Sequence, residues 1–288
     1  MKYLYLLFLL NTTAYLGAQP PYTIQKHPDF GVVQDFIKTA LTKKNVRNYA
    51  RTIQLGAYTF DYFIFDRRIP NYDLKIYWKD DRGSARGNQY YSIENLNYRL
   101  GGRLLFATNG GMFDGQFVPK GLYVENGRVK KELDIQPNGF GNFYLQPNGV
   151  FTVRDDNFMS IQSTETFYDL YPNAVQTGSA LPGIQYATQS GPMLVTNGQL
   201  NPAFRPGSEN QFLRSGVGII DVYRTVFIIS RYNINFYDFA SVFKDIFQCE
   251  NALFLDGQVS KMLCKARPLL RSGEGGRFGT IIGISHRR

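Results

Sequence analysis

Asp256 closes the apolar run Leu253-Phe254-Leu255 and is followed by Gly257, Gln258, Val259 and Ser260. A carboxyl at the tip of an apolar strand is partly withdrawn from water. Its pKa then rises, and it can serve as a base or nucleophile near neutral pH. The same residues also suit a plain Asp-Gly turn.

Three other segments join glycine to polar groups. Thr108-Asn109-Gly110-Gly111-Met112-Phe113-Asp114 follows an apolar strand, and paired glycines there can bare backbone N–H groups for an anion. Gln189-Ser190-Gly191-Pro192 precedes another strand. Phe204-Arg205-Pro206-Gly207-Ser208-Glu209-Asn210 leads to Arg214-Ser215-Gly216-Val217-Gly218. A charge opening a buried strand needs an anionic partner, either a structural carboxylate or a ligand.

Composition removes several chemistries. The chain has 288 residues, and its two histidines, His27 and His286, lie near its ends. With no imidazole between them, a Ser–His–Asp triad and a histidine zinc site are both disfavoured. Two cysteines cannot hold a four-sulfur metal site, and no loop shows calcium-ligand spacing, so neither metal nor cofactor is expected. Any catalysis falls to carboxylates, Arg, Lys, hydroxyls and backbone N–H groups. The net charge of +9 is scattered rather than striped, and no recognition motif appears, so nucleic acid is not an expected partner.

These residues need a β framework. Asn126-Gly127, Asn148-Gly149 and Asn197-Gly198 separate apolar runs, and Asn-Gly suits a turn with positive φ at both central residues. The expected hairpins are 121–125 with 128–132, 142–146 with 150–154, 192–196 with the strand after Gly198, and 217–221 with 225–230. Further strands are expected at 50–55, 58–66, 73–78, 104–108, 252–256, 261–264 and 279–285. Helices are expected from Asn235, which caps Phe236, Phe239, Ala240, Phe243 and Phe247, and from Ser92, near Val33–Leu41, and over Glu165–Leu170. The fold class is α+β: a single domain with a large, mostly antiparallel or mixed sheet built from hairpins and a few flanking helices.

Met1-Lys2, the apolar run Tyr3–Leu10 and the small pair Gly17-Ala18 have the layout of a secretory signal peptide over residues 1–18. A periplasmic or secreted location follows, with no stable membrane insertion after cleavage. Residues 19–48 read as an N-terminal helical appendage, and 49–288 as the main domain. In an oxidising compartment Cys249 and Cys264 can be a disulfide or two buried thiols.

The segments occur in a telling order. Asn109-Gly110-Gly111-Met112-Phe113, Gly121–Gly127, Gly141-Asn142-Phe143, Gln189–Val195, Arg214–Gly218 and Leu255-Asp256-Gly257 with Ser260 together resemble the phosphodiester glycosidase family over residues 50–285. In the family's animal member the last motif resembles Leu-Asp-Gly-Gly-Gly-Ser. Here Gln258 and Val259 replace two glycines, so the reaction class carries over more firmly than the sugar.

The resemblance implies an exported hydrolase that cleaves the glycosidic C–O bond of a sugar-1-phosphodiester. Phosphate is already a good leaving group, so charge neutralisation matters more than a strong general acid. In that reading Arg214 and the Asn109-Gly110-Gly111 backbone hold the phosphate, and Asp256 is base or nucleophile. Ser190, Gly191, Ser208, Asn210, Gly257 and Ser260 line the substrate, with Asp114 and Glu125 as reserve carboxylates. The alternative is a non-catalytic exported module that binds a cell-envelope glycan or anionic polymer through its aromatic residues and positive charge.

Overall fold

Period-two alternation along the apolar strands divides the core. In the strand Arg224–Ser230, Val226 and Ile228 face one layer, while Phe227 and Ile229 face another. Both faces of this sheet are therefore covered, which is why its strands read as nearly unbroken apolar runs.

The computed structural model describes residues 23–42, 49–79, 92–265 and 276–287; the expected signal peptide lies outside them. In chain order the first elements are α1 (Phe30–Thr42), β1 (Tyr49–Leu55), β2 (Tyr58–Asp66), β3 (Tyr72–Tyr77), α2 (Ile93–Arg99) and β4 (Leu104–Asn109). Then come β5 (Tyr123–Glu125), β6 (Arg128–Lys131), β7 (Gly149–Val153), β8 (Met159–Ser163), α3 (Thr164–Leu170) and β9 (Tyr186–Ser190). The last are β10 (Met193–Thr196), β11 (Gln199–Leu200), β12 (Ser215–Ile219), β13 (Arg224–Ser230), α4 (Phe236–Ser241), β14 (Asn251–Asp256), β15 (Met262–Cys264) and β16 (Ile281–His286).

The fold is α+β, as expected. Its strands form a seven-stranded sheet in the order β1-β2-β13-β12-β14-β10-β11, a four-stranded sheet β15-β4-β16-β3, and a five-stranded sheet β6-β5-β9-β7-β8. Pairing among the described strands is antiparallel throughout. The two smaller sheets share one core with the inner face of the large one, through Phe63, Phe106, Phe151, Phe227, Leu253 and Ile282. The outer face of the large sheet is covered by α4 and the π-helical segment Val242–Ile246, packed through Phe239, Phe243 and Phe247.

Helix starts follow their caps. Asn235 accepts from the Asp238 N–H at 2.9 Å, and Ser92 from the Asn95 N–H at 3.1 Å. The segment read as a helical appendage is helical at α1, and it docks on this outer layer. Ile24 and Ile37 are buried there, and the Ile24 N–H donates to Asp238 Oδ1 at 2.9 Å.

The turn at Asn126-Gly127 has φ of 50° and 75°, and that at Asn197-Gly198 has 50° and 72°, as their sequences require. The third Asn-Gly is not a hairpin turn. Residues 142–144 form a 3₁₀ turn, and β7 pairs with β8 and β9 instead of with 142–146. The Asn148 amide is spent on the Phe143 carbonyl at 3.2 Å, and Gly149 already lies in the ladder. Cys249 packs in the outer layer and Cys264 in the inter-sheet core, so the two are thiols on opposite sides of the large sheet, not a disulfide.

Candidate active site at the tip of β14

β14 runs between β12 and β10, and its last residue is Asp256. Gly216 opposes Phe254, but Ser215 opposes Asp256, so Leu255 is a bulge. A bulge re-aims the side chain that follows it. Cross-strand partners share a face, so Asp256 joins Ser215 on the inner face of the sheet.

Ser215 is the hub of the site. Its Oγ accepts from Asn109 Nδ2 at 2.8 Å and lies 2.9 Å from Ser260 Oγ. It also contacts the Asp256 backbone, 3.2 Å from the carbonyl and 3.3 Å from the N–H. Ser260 Oγ lies 2.9 Å from the same carbonyl. Asn109 Oδ1 accepts from the Lys261 N–H at 3.2 Å, which ties β4 to the chain entering β15. Ser215 and Ser260 thus hold the backbone of Asp256, and Asn109 reaches it only through Ser215.

The carboxylate itself accepts from the Gly257 N–H at 2.6 Å. Protein atoms crowd it although part of the residue still meets solvent. Desolvation pushes its pKa up to about 6, against the smaller downward pulls of the Gly257 N–H and the Lys120 charge. Ser190, at the end of β9, donates to the Leu255 carbonyl at 3.0 Å and accepts from the Met112 N–H at 3.4 Å.

The glycines expected to bind phosphate are held by packing. The Gly110 N–H donates to the Thr280 carbonyl at 2.8 Å, so it is not available to an anion. A Cβ at Gly111 would lie 2.4 Å from the Gln189 carbonyl oxygen, and one at Gly191 would lie 2.6 Å from that of Phe143. Gln189 cannot yield easily. Its amide accepts from Leu122 and Asp134 N–H groups and donates to the Asp134 carbonyl and Thr164 Oγ1, so every donor and lone pair is used. Gly111→Ala is expected to cost about 1–3 kcal/mol in urea unfolding, because backbone rather than a mobile side chain must move. Gly257 has room for a side chain, its nearest neighbour being the Leu213 carbonyl at 3.5 Å.

Arg214 does not share the face of Asp256, pairs with no carboxylate among the described residues, and keeps Nη1 buried without a hydrogen-bond partner. Its side chain is fully buried on the outer face, opposite to Ser215, with the guanidinium carbon 3.5 Å from the centre of the Phe236 ring. Nε donates to the Ile234 carbonyl at 2.7 Å, and Nη2 donates to Asn210 O and Oδ1 at 2.8 and 2.9 Å. Burial alone drives its pKa down to about 9. Asn210 therefore caps Arg214, and Ser208 accepts from the Asn210 N–H at 3.3 Å within that loop. Asp114 is exposed and caps its own turn through Gln116 and Val118, and Glu125 sits opposite Tyr186, at the far end of β9 from Ser190.

Ser215 escapes a reading by residue type: within Arg214-Ser215-Gly216-Val217-Gly218 only the fold marks it as the hub. Among the described residues no group of three or more His, Cys, Asp or Glu is placed to hold a metal ion.

The frame is antiparallel α+β, with a desolvated carboxylate on a bulged strand tip. The chain belongs to the phosphodiester glycosidase family, whose signature matches residues 102–284. It is 37% identical over 192 residues to YigE, an uncharacterized protein of Escherichia coli (strain K12), covering 67% of this chain and 70% of that one. Among solved structures it resembles the catalytic domain of zebrafish N-acetylglucosamine-1-phosphodiester alpha-N-acetylglucosaminidase, auto-inhibited by its pro-peptide. The TM-score is 0.54 at 13% identity, over 95% of this chain and 97% of that domain. A hypothetical protein from Synechocystis gives a TM-score of 0.53 at 13% identity, over 83% of this chain and 61% of that one. At these identities the structural likeness concerns the fold. Among the described residues no helix is long and apolar enough to cross a membrane.

Proposed function

We propose that this protein is an exported hydrolase that cleaves the glycosidic C–O bond of a sugar-1-phosphodiester, with Asp256 as the reacting carboxylate. The observation that carries this reading is the state of Asp256: desolvated, with a pKa of about 6, and held by its backbone while its carboxylate is left nearly free of hydrogen bonds. A carboxylate in that state is basic enough to take a proton from water at neutral pH. The water oxygen bonds to the anomeric carbon, the C–O bond to phosphate breaks, and its electron pair leaves on the phosphate oxygen. The family supports the substrate class. Export rests on the sequence of residues 1–18.

The test is hydrolysis of a sugar-1-phosphodiester, such as an N-acetylglucosamine-1-phosphate ester, in ¹⁸O-labelled water. Label in the released sugar is the expected result. Label in the phosphate would mean P–O cleavage and would overturn the assignment. Tight binding without any product would favour the glycan-binding alternative.

A further inference from the structure

We propose that Phe117 is the platform on which the sugar ring of the substrate lies. The identity of the ligand as a pyranose rests on the glycosidase reading; the platform rests on the geometry of the loop 112–120.

Asp114–Val118 is a tight hairpin loop. The Phe117 N–H donates to the Asp114 carbonyl at 3.0 Å, and the Asp114 N–H donates to the Val118 carbonyl at 2.9 Å. Asp114 Oδ1 accepts from the Gln116 and Val118 N–H groups at 2.9 and 3.0 Å. A three-residue loop closed in this way ends on a residue in the left-handed region, and glycine is the residue that fits there. This chain places Phe117 there, with φ of 61°. The other non-glycine residues of positive φ among the described residues are asparagines and Gln248. A bulky side chain in this region is strained, and it persists only where its surroundings hold it.

Those surroundings are specific. The Phe117 carbonyl accepts from Trp78 Nε1 at 3.0 Å, just past the end of β3. The Phe117 ring stacks on Phe113, with centroids 5.5 Å apart and planes at 22°. Phe113 is seated against Gly279, where an added Cβ would lie 2.3 Å from the Phe113 Cβ. Both rings stay half-buried rather than entering the core.

The base of the loop is tied to the reacting strand. The Lys120 N–H donates to the Met112 carbonyl at 3.0 Å, and the Met112 N–H reaches Ser190 Oγ at 3.4 Å. Ser190 Oγ donates at 3.0 Å to the carbonyl of Leu255, the residue before Asp256. Of the two halves of the substrate, only the sugar suits an aromatic face. The negative face of the ring repels a phosphodiester but attracts the C–H groups of a pyranose, and a stacked pair is rigid enough to orient it.

The experiment uses the purified full chain. Trp78 is the only tryptophan, and its bond to Phe117 makes its fluorescence a reporter of the loop. The probes are free N-acetylglucosamine, followed by fluorescence and calorimetry, and an N-acetylglucosamine-1-phosphate ester, followed by turnover. Phe117→Gly suits the backbone and is expected to fold. It should weaken sugar binding and raise KM by about 10-fold, with kcat within about twofold, because the ring binds ground state and transition state alike. Phe117→Leu, apolar but not aromatic, should behave like Phe117→Gly. Phe117→Tyr should stay within about twofold of wild type. Wild-type sugar affinity in Phe117→Gly or Phe117→Leu, or a wild-type chain that binds no sugar, overturns the proposal. Sugar binding that depends on Phe117 in a chain without turnover upholds the platform and removes the hydrolytic reading. Turnover with a wild-type KM in Phe117→Gly does the reverse.

Discussion

Asp256→Asn is expected to lower kcat by about 10³-fold and, at the same time, to stabilise the fold at pH 7. The loss of activity follows from the role: an amide is neither base nor nucleophile. The substitution keeps shape, and the amide oxygen can still accept from the Gly257 N–H. The gain in stability follows from the pKa. The carboxyl titrates at about 6 in the folded chain against an ordinary value of 3.8. Between these values the folded state binds the proton more tightly than the unfolded state. Wild-type stability therefore falls as pH rises from about 4 to about 6, and the full penalty is present above that. A shift of this size corresponds to about 1–3 kcal/mol once the partial exposure of the residue is allowed for. Urea unfolding of both proteins at pH 4 and pH 7 measures it: the curves should nearly coincide at pH 4 and separate at pH 7, with the variant the more stable. In the wild type, kcat/KM should rise with pH through about 6 and then level off, as the carboxylate ionises. An Asp256→Asn protein with full turnover would remove Asp256 from the reaction.

The fold was legible where local chemistry and tertiary structure agree. Asn126-Gly127 and Asn197-Gly198 turn as their residues demand, and the caps at Ser92 and Asn235 start the helices they precede. Asn148-Gly149 failed because the side chain of Asn148 was needed elsewhere, a demand visible only once Phe143 is in place. β8 and β9 escaped notice for a related reason. Tyr186–Ser190 ends in Thr188, Gln189 and Ser190, all buried, and a buried polar strand has the composition of a loop until its partners are known.

The site divides in the same way. Asp256, Asn109, Ser190 and Ser260 stand out as polar residues beside glycine at strand ends; Asn109 and Ser260 bond to Ser215 beside the Asp256 backbone, while Ser190 bonds to the Leu255 carbonyl. Which face each side chain takes was not legible. That depends on the bulge at Leu255, and a one-residue slip reverses the face of everything after it. Arg214 and Asp256, which look like partners in the sequence, therefore come to lie on opposite faces.

Arg214→Lys is expected to destabilise the fold and loosen the loop that leads to β12. Arg214 is fully buried, and the Phe236 ring, the Ile234 carbonyl and both oxygens of Asn210 solvate its charge. The planar guanidinium makes all of these contacts at once: its face stacks on the ring while its edge donates in two directions. A lysine ammonium has no face to stack and reaches one of the two oxygen groups but not both. The other is left buried without a donor, which costs about 1–3 kcal/mol, and the lost stacking adds about 1–2 kcal/mol. Unfolding free energy is thus expected to drop by about 2–4 kcal/mol in urea. Hydrogen exchange should quicken in residues 204–213, because Asn210 no longer anchors that loop. The loop runs on to Leu213, whose carbonyl lies against Gly257, so kcat/KM should fall as well. An Arg214→Lys protein as stable as wild type in urea would show that the Phe236 ring, Ile234 and Asn210 do not hold the buried charge.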